Sequence, residues 1–367
     1  DAVADFNYLT GYAYDAPYTF GETTSMGLAA TGLANELLSW EKMAIYNAGF
    51  DFSLFGRKLY GEADAFQRDR TGIPGFRSAS LPNTFGAQLP QENLNAIRSR
   101  GFEVRLGTSG SAGGFTYDIS ANVSWNRSKW TQYDQAEETD PDRYRLYYLK
   151  GQWTDRQIGY KSDGLFESQE AIDNWGKTVD DLNNDNSTFA AGDIRLVDIN
   201  DDGVINWKDK VEIGKGSTPH WMTGWNFNLG YKGFDLSLLF QGAWGYTLAV
   251  SYDSNTATYC DLYYDQVHNA DANAIVARPN GAATNYWASD FMYRDVAYLR
   301  LKNASFGYSI PSKIVRKIGL EKCRIYVAGM NLFTLSTVSK YGVDPEAGAT
   351  VGYSYPQQYT ISAGLNI

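Results

Sequence analysis

Residues Asp198 to Asp209, DINDDGVINWKD, put four carboxylates, two asparagines and one glycine into twelve positions. That spacing fits a calcium loop with ligands at positions one, three, five, seven, nine and twelve: Asp198, Asn200, Asp202, the carbonyl of Val204, Asn206 and Asp209. Gly203 takes the sharp sixth position, and Asp201 falls between ligand positions and faces solvent. Position twelve is Asp where a sensor loop carries Glu, and the flanks GDIRLV and KVEIG read as extended. A loop stabilised by Ca2+ is expected here in preference to a calcium sensor. Magnesium suits a crowded all-protein cage poorly, and the competing reading is a solvated Asp/Asn turn.

Three aromatic clusters form a second set of candidates: Tyr144, Tyr147, Tyr148 and Trp153; Tyr259, Tyr263 and Tyr264; Tyr286, Trp287, Phe291 and Tyr293. Sugar rings present apolar CH faces that pack on aromatic rings, and neighbouring Asp or Asn can bind hydroxyls. Substrate contact is therefore assigned to Tyr144, Tyr148, Trp153, Tyr263, Tyr264, Tyr286 and Trp287. The same rings could instead pack the loops that carry them.

Bond-breaking chemistry has little support. Glu137 and Glu138, or Asp140 and Asp142, are neighbours in an acidic run that reads as a solvated face, not as an acid and a base. His220 and His268 have no nucleophile elbow or metal-ligand spacing beside them. The two cysteines, Cys260 and Cys323, supply neither a disulfide framework nor a zinc site. The chain is not expected to be an enzyme. Its net charge of −10, with Lys and Arg scattered, leaves no footprint for a phosphate backbone, so no nucleic acid is expected.

The elements that must hold these residues are strands. In FTYDISANVSW, Phe115, Tyr117, Ile119, Ala121, Val123 and Trp125 share one face and polar side chains take the other. WMTGWNFNLGY (221–231), FDLSLLF (234–240) and YTISAGLNI (359–367) alternate in the same way. Further strands are expected near 5–14, 42–55, 57–70, 95–108, 295–310 and 322–335, about ten in all, with few helices. Connections alternate in length. Short ones fall at 55–58, 108–114 and 231–233, with a modest one at 311–322, and long ones at 15–41, 71–94, 127–218, 244–294 and 336–357. Short turns at one end and long loops at the other are the pattern of a transmembrane antiparallel β-barrel with long extracellular loops. Trp221, Trp225, Tyr231, Phe234, Tyr298, Phe306 and Tyr308 sit at or near strand ends, as interface girdles do. A soluble β-sandwich also alternates, but does not sort its loops by length in this way.

At this point the sequence becomes recognisable. The blocks GYKSDGLFESQEAIDN (159–174), AGDIRLVDINDDGVINWKDKVEIG (191–214), NFNLGYKGFDLSLLFQGAWG (226–245), AYLRLKNASFGYSIP (297–311), CRIYVAGMNLFTLS (323–336), VDPEAG (343–348) and YPQQYTISAGLNI (355–367) occur in that order. Together they resemble the C-terminal part of SusC-like TonB-dependent outer-membrane transporters. GLANELLSWEKMAIYNAGFDFSLFGRKLYGEADAF (32–66) and NLNAIRSRGFEVRL (93–106) resemble the hairpins that precede them.

The resemblance implies that residues 1–367 are the C-terminal part of a plugged barrel of about 22 strands, of which about ten are present. It implies a location in the bacterial outer membrane, with residues 127–218 as a long extracellular loop carrying the calcium-like segment 198–209. It further implies import of oligosaccharides or peptides with a SusD-like surface lipoprotein, energised by TonB through an N-terminal part not included here. On this topology Cys260 and Cys323 lie on opposite sides of the membrane and do not bridge. One feature departs from the pattern, because such barrels end on an aromatic residue and this sequence ends on Ile367. The alternative reading is a secreted calcium-dependent adhesin or glycan-binding β-sandwich module, which would bury its apolar strand faces.

Overall fold

A computed structural model describes residues 8–30, 32–77, 89–180, 189–252, 274–278, 281–347, 350–351 and 357–367. The chain divides into two compact units. One comprises Asp1–Asn47, Phe66–Arg100 and Arg127–Thr154, the other Ala48–Ala65, Gly101–Asn126 and Asp155–Ile367.

In the first unit, β1 (Tyr12–Phe20) and β2 (Thr23–Ala30) form a separate antiparallel hairpin. This corrects the expected strand at 5–14 and long loop at 15–41. Gly21 and Glu22 make a tight turn, and the run Tyr12, Tyr14, Tyr18 and Phe20 continues as strand where a loop was expected. The unit also takes segments of four longer strands: β3 (Lys42–Leu54), β4 (Leu59–Phe76), β5 (Gln91–Ala112) and β6 (Phe115–Gln132). Their segments here are laced by ion pairs: Arg70–Glu41 at 2.7 Å, Arg77–Glu92 at 2.6 Å and Arg98–Asp69 at 2.6 Å. A short helix, α1 (Pro141–Tyr147), completes the unit. Asp140 caps it by accepting from the amides of Asp142 at 2.8 Å and Arg143 at 3.3 Å. The acidic run is thus spent on capping and on Arg143 and Arg145, as a solvated face would be.

The second unit contains a ten-stranded antiparallel sheet. Short elements come first along the chain: β7 (Gln157–Gly159), β8 (Ser162–Leu165), α2 (Gln169–Asp173), β9 (Thr178–Val179), β10 (Ile194–Leu196), β11 (Val204–Ile205) and β12 (Val211–Gly214). Then follow β13 (Trp221–Tyr231), β14 (Phe234–Ala249), β15 (Ser251–Tyr252), β16 (Tyr293–Ser309), the helical turn α3 (Ser312–Val315), β17 (Arg324–Met330), β18 (Thr334–Ser336), β19 (Thr350–Val351) and β20 (Thr360–Asn366). The sheet order is β20-β17-β16-β14-β13-β6-β5-β4-β3, with β18 pairing β16 beyond β17. The strand expected at 322–335 is thus one strand interrupted at Asn331, which has φ +52°.

Register places the apolar residues in rows. β13 pairs Trp221 with Trp125 of β6 and Trp244 of β14, and Tyr231 with Phe115 and Phe234. The row at Trp221 is stacked, with Trp221 and Trp244 5.6 Å apart and nearly parallel. The eleven residues of β13 separate the two aromatic rows. At about 3.4 Å per residue the rows stand roughly 34 Å apart along the strand, and a tilt of about 45° projects this to about 24 Å. That matches the apolar band of about 25 Å in an outer-membrane barrel. The apolar face is uncovered: Tyr231 is 47% exposed, Phe306 54% and Ile361 65%. A soluble sandwich would bury such a face, so the sandwich reading is not favoured.

Apart from the hairpin inside the expected 15–41 loop, connection lengths sort between the sheet ends. Short connections at Phe55–Lys58, Gly113–Gly114 and Lys232–Gly233, and the modest one at 310–323, lie at one end, and the longer ones lie at the other. Among the described residues no helix is long and apolar enough to cross a membrane, which says nothing about strands. Two buried apolar clusters lie at the long-loop end. Ala243, Tyr246, Leu248, Val296 and Tyr298 of the strands and Val250 just after β14 pack with Val338, Tyr341 and Val343. A second cluster joins Tyr160, Leu165, Ile194, Leu196, Ile205 and Phe291. Residues 155–180 and 189–218 therefore form a lobe built on short two-stranded pairings.

Candidate functional site

Three polar knots hold the loops of the second unit. At the first, Asp193 is fully buried. It accepts from Arg278 through both oxygens at 3.1 and 2.9 Å, from Asn285 at 2.8 Å and from the amides of Ala190 and Ala282. Five donors thus meet that carboxylate, as burial of a charge requires. The knot joins segments about ninety residues apart, with Asn285 also accepting from the amide of Ile194 at 2.8 Å.

At the second knot, Arg300 of β16 is 1% exposed and binds two carboxylates of the segment after β18. It reaches Asp344 at 2.5 Å, Glu346, and Thr334 Oγ1 at 2.7 Å. Glu346 also accepts from Lys302 at 2.8 Å and from the hydroxyl of Tyr298 at 2.8 Å. Burial alone would raise the Glu346 carboxyl, but these donors and the Arg300 charge outweigh it and hold it below the usual range. Residues 337–347 are thereby strapped to the sheet. Neither knot was among the residues singled out from the sequence. The block VDPEAG, which contains Asp344 and Glu346, was the signal available for the second.

The third knot is the segment 198–209. Gly203 has φ +87°, the conformation expected at the sixth position. Asn200 Oδ1 accepts from the amide of Asp202, Asp202 Oδ1 from that of Val204, and Asn206 Oδ1 from that of Lys208. Asp209 is fully buried and accepts from Ile199 and Asn206, both at 2.8 Å. Asp198 Oδ2 accepts from the amide of Gly203 and from Lys177 Nζ, both at 2.8 Å. The Lys177 ammonium holds the Asp198 carboxyl below its usual range, against the effect of burial, with help from the Gly203 amide. Five of the six expected ligand positions are thus spoken for by local hydrogen bonds.

As a test of fit for Ca2+, the donor set is all oxygen, and a carbonyl or carboxylate oxygen that accepts one hydrogen bond keeps a second lone pair. Asp198 Oδ1 is buried without a hydrogen-bond partner among the described residues, and the side chain is 2% exposed. Against this, no three His, Cys, Asp or Glu side chains converge on one point among the described residues. The residues suit the ion in chemistry, with Lys177 supplying a cation of the protein's own.

The aromatic candidates separate into kinds. Tyr144 and Tyr148 stack 4.5 Å apart, with Tyr144 exposed. Trp153 is flanked by its own cations, Arg127 at 4.3 Å and Lys129 at 4.2 Å. Trp287 stacks on Tyr160 at 4.9 Å and packs against the second apolar cluster, while Tyr286 beside it is 61% exposed. Tyr259, Cys260, Tyr263, Tyr264 and His268 lie outside the described residues. His220 contacts Asp155 through its Nε2. Cys323 is a free, buried thiol just before β17. On the polar face of the sheet, Tyr60 donates to Asp118 at 2.9 Å, Ser237 to Asn228 at 2.8 Å and Arg324 to Asp235 at 2.9 Å. A ladder of this kind suits a wetted interior.

No family model matches the chain. It is similar to "TonB-dependent receptor P3" of Formosa agariphila, 27% identical over 95% of this chain and 36% of that protein. It is also similar to "TonB-dependent receptor SusC" of Bacteroides thetaiotaomicron, 26% identical over 99% of this chain and 36% of that protein. The chain thus spans about a third of the length of these relatives. Among solved structures, the RagAB peptide transporter shares the fold with a TM-score of 0.66 at 18% identity, over 99% of this chain and 39% of that one. The RagAB peptide importer in its open-open state gives 0.68. The resemblance to SusC-like TonB-dependent transporters and the β-barrel fold class are both borne out.

Proposed function

We propose that the chain is a wall segment of an outer-membrane TonB-dependent importer of the SusC type, which takes up oligosaccharides or peptides together with a SusD-like surface lipoprotein. The observation that carries this reading is the uncovered apolar face of the sheet, bounded by two aromatic rows about one hydrocarbon thickness apart, with short turns at one end. The similarity to SusC and the fold of the RagAB peptide importer support it.

In this reading the chain makes and breaks no bonds. The sheet separates lipid from a polar interior, and the knotted loops at the outer end shape the entrance through which substrate passes. Tyr144, Tyr148 and Tyr286 present the rings available to substrate. Trp153 and Trp287 serve the loops themselves. Ca2+, where bound, is held by Asp198, Asn200, Asp202, the Val204 carbonyl, Asn206 and Asp209. It offsets repulsion among the loop carboxylates, with Lys177 its internal competitor at Asp198.

The test is uptake of labelled oligosaccharides and peptides by cells producing the full-length protein. Deletion of its gene, or of TonB, should abolish accumulation of one of the two substrate classes. Accumulation that persists without TonB would refute the reading.

A further inference from the structure

The short-turn end of the sheet carries a charge opposite to that of the whole chain. The four turns there hold seven cations, Arg57 and Lys58, Lys232, and Lys313, Arg316, Lys317 and Lys322, against one carboxylate, Glu321. The chain as a whole has a net charge of −10. All seven cations are exposed, and none has an ion-pair partner among the described residues. The arginines of the loops and strands are mostly paired, as Arg70, Arg98, Arg278, Arg300 and Arg324 are. Among the described residues no carboxylate thus pairs with the cations of this rim.

Position sharpens the point. Phe115, Tyr231, Phe234, Tyr308, Ile325 and Leu365 are directly paired across six adjacent strands, giving one continuous apolar row beside the turns. Lys232 is the residue next after Tyr231, and it lies over that ring at 5.1 Å. At about 3.4 Å per residue, the turn cations stand a few ångströms beyond the row. The polar headgroup layer is about 5–8 Å deep on each side of the hydrocarbon. Hairpins two strands apart are spaced by about 10 Å, comparable to the width of one lipid headgroup. The longest turn adds two exposed apolar side chains, Ile314 and Ile318, among its four cations. Apolar side chains interleaved with Lys and Arg are what a membrane interface selects.

We propose that this rim is a docking surface for anionic glycerophospholipids, whose phosphates the turn cations bind while their chains lie against the adjoining apolar row. The proposal rests on the membrane-spanning reading above and adds a lipid class and a side to it. It places phosphodiester charge at the short-turn end alone.

The experiment uses the full-length protein in bilayers with spin-labelled phosphatidylglycerol and phosphatidylcholine as probes. The variant combines Lys313→Glu, Arg316→Glu, Lys317→Glu and Lys322→Glu, and a second variant replaces the same four with Gln. Heat-modifiable electrophoretic mobility confirms that each barrel is folded. With each basic side chain near an anionic surface contributing a several-fold preference, wild type should hold phosphatidylglycerol over phosphatidylcholine by at least ~5-fold at low salt. The Gln variant should fall to about half of that preference or less, and the Glu variant to ~1-fold, with 1 M salt suppressing the wild-type preference too. A folded, inserted wild type with no preference overturns the proposal alone, and its turn cations then serve a periplasmic protein. A wild type that does not enter bilayers at all overturns the importer reading with it.

Discussion

Replacing Arg300 with Met should loosen residues 337–347 on the sheet while leaving the sheet intact. The guanidinium is 1% exposed and bonded to Asp344, Glu346 and Thr334. Met keeps the volume of the stem, so packing changes little. The charge removed leaves two carboxylates facing each other without their shared cation. Removing one partner of a buried pair costs about 3–5 kcal/mol. Lys302 remains on Glu346, and Asp344 is partly exposed, so the lower end of the range applies here, about 3 kcal/mol. At about 1.36 kcal/mol per decade, the opening equilibrium should shift on the order of 10²-fold. Val338, Tyr341 and Val343 still hold the segment by apolar burial, which keeps the change local. Amide hydrogen exchange of the full-length protein reads it directly: the amides of Thr337, Tyr341 and Gly342, bonded to Ala297, Val338 and Ser339, should lose protection while those of β13 do not. Adding Asp344→Asn and Glu346→Gln should restore much of the protection, because no uncompensated charge is then left. Protection within about threefold of wild type after Arg300→Met, a shift of only about 0.7 kcal/mol, would refute the strap.

Asp202→Ala should lower Ca2+ affinity at least about tenfold and raise protease sensitivity between residues 127 and 218, measured by calcium titration and mass-mapped digestion. Equal digestion with and without a chelator would favour the bland Asx turn. The Asp198 carboxyl is held below its usual value chiefly by Lys177, so its contribution is full above about pH 4 and is lost as pH falls through the depressed folded value. Lys177→Met should move that loss upward in pH, as seen by exchange of the Gly203 amide between pH 3 and 6. Gly107→Val should destabilise the sheet by about 2 kcal/mol or more, because a Cβ there would lie 2.2 Å from the ring of Tyr60. The midpoint of the heat-modifiable mobility shift measures it, and a midpoint equal to wild type would contradict the close approach.

How far the fold could be read from sequence depends on what lies on each side of a strand. β13 spans Trp221–Tyr231, the residues whose alternation was read, because an apolar face on one side and a polar face on the other force period two. β6 was read only to Trp125 but continues to Gln132 through Asn126, Arg127, Ser128 and Lys129. Beyond the apolar band neither face selects hydrophobic residues, so the pattern vanishes while the hydrogen-bond ladder continues. The β1–β2 hairpin was missed for a related reason. Its aromatic residues are exposed, and no polar alternation marks its second strand. The calcium-like segment was legible because all its donors lie within twelve residues. Lys177 was not, since it reaches Asp198 from 21 residues away, and the Asp193–Arg278–Asn285 knot joins segments further apart still. Single sequences mark local donors well and distant partners poorly. Trp153 and Trp287 show the same limit: the cations and the ring that lie against them come from other segments.

The central claim is that this sheet crosses a membrane with its long loops outside. Single cysteines placed in the full-length protein, in a Cys260→Ser and Cys323→Ser background, test it with a membrane-impermeant maleimide. Lys150→Cys and Glu170→Cys should label on intact cells, whereas Lys58→Cys and Lys317→Cys should label only after the outer membrane is permeabilised. Labelling of Lys317→Cys on intact cells, or recovery of the protein in the soluble fraction, would contradict the account.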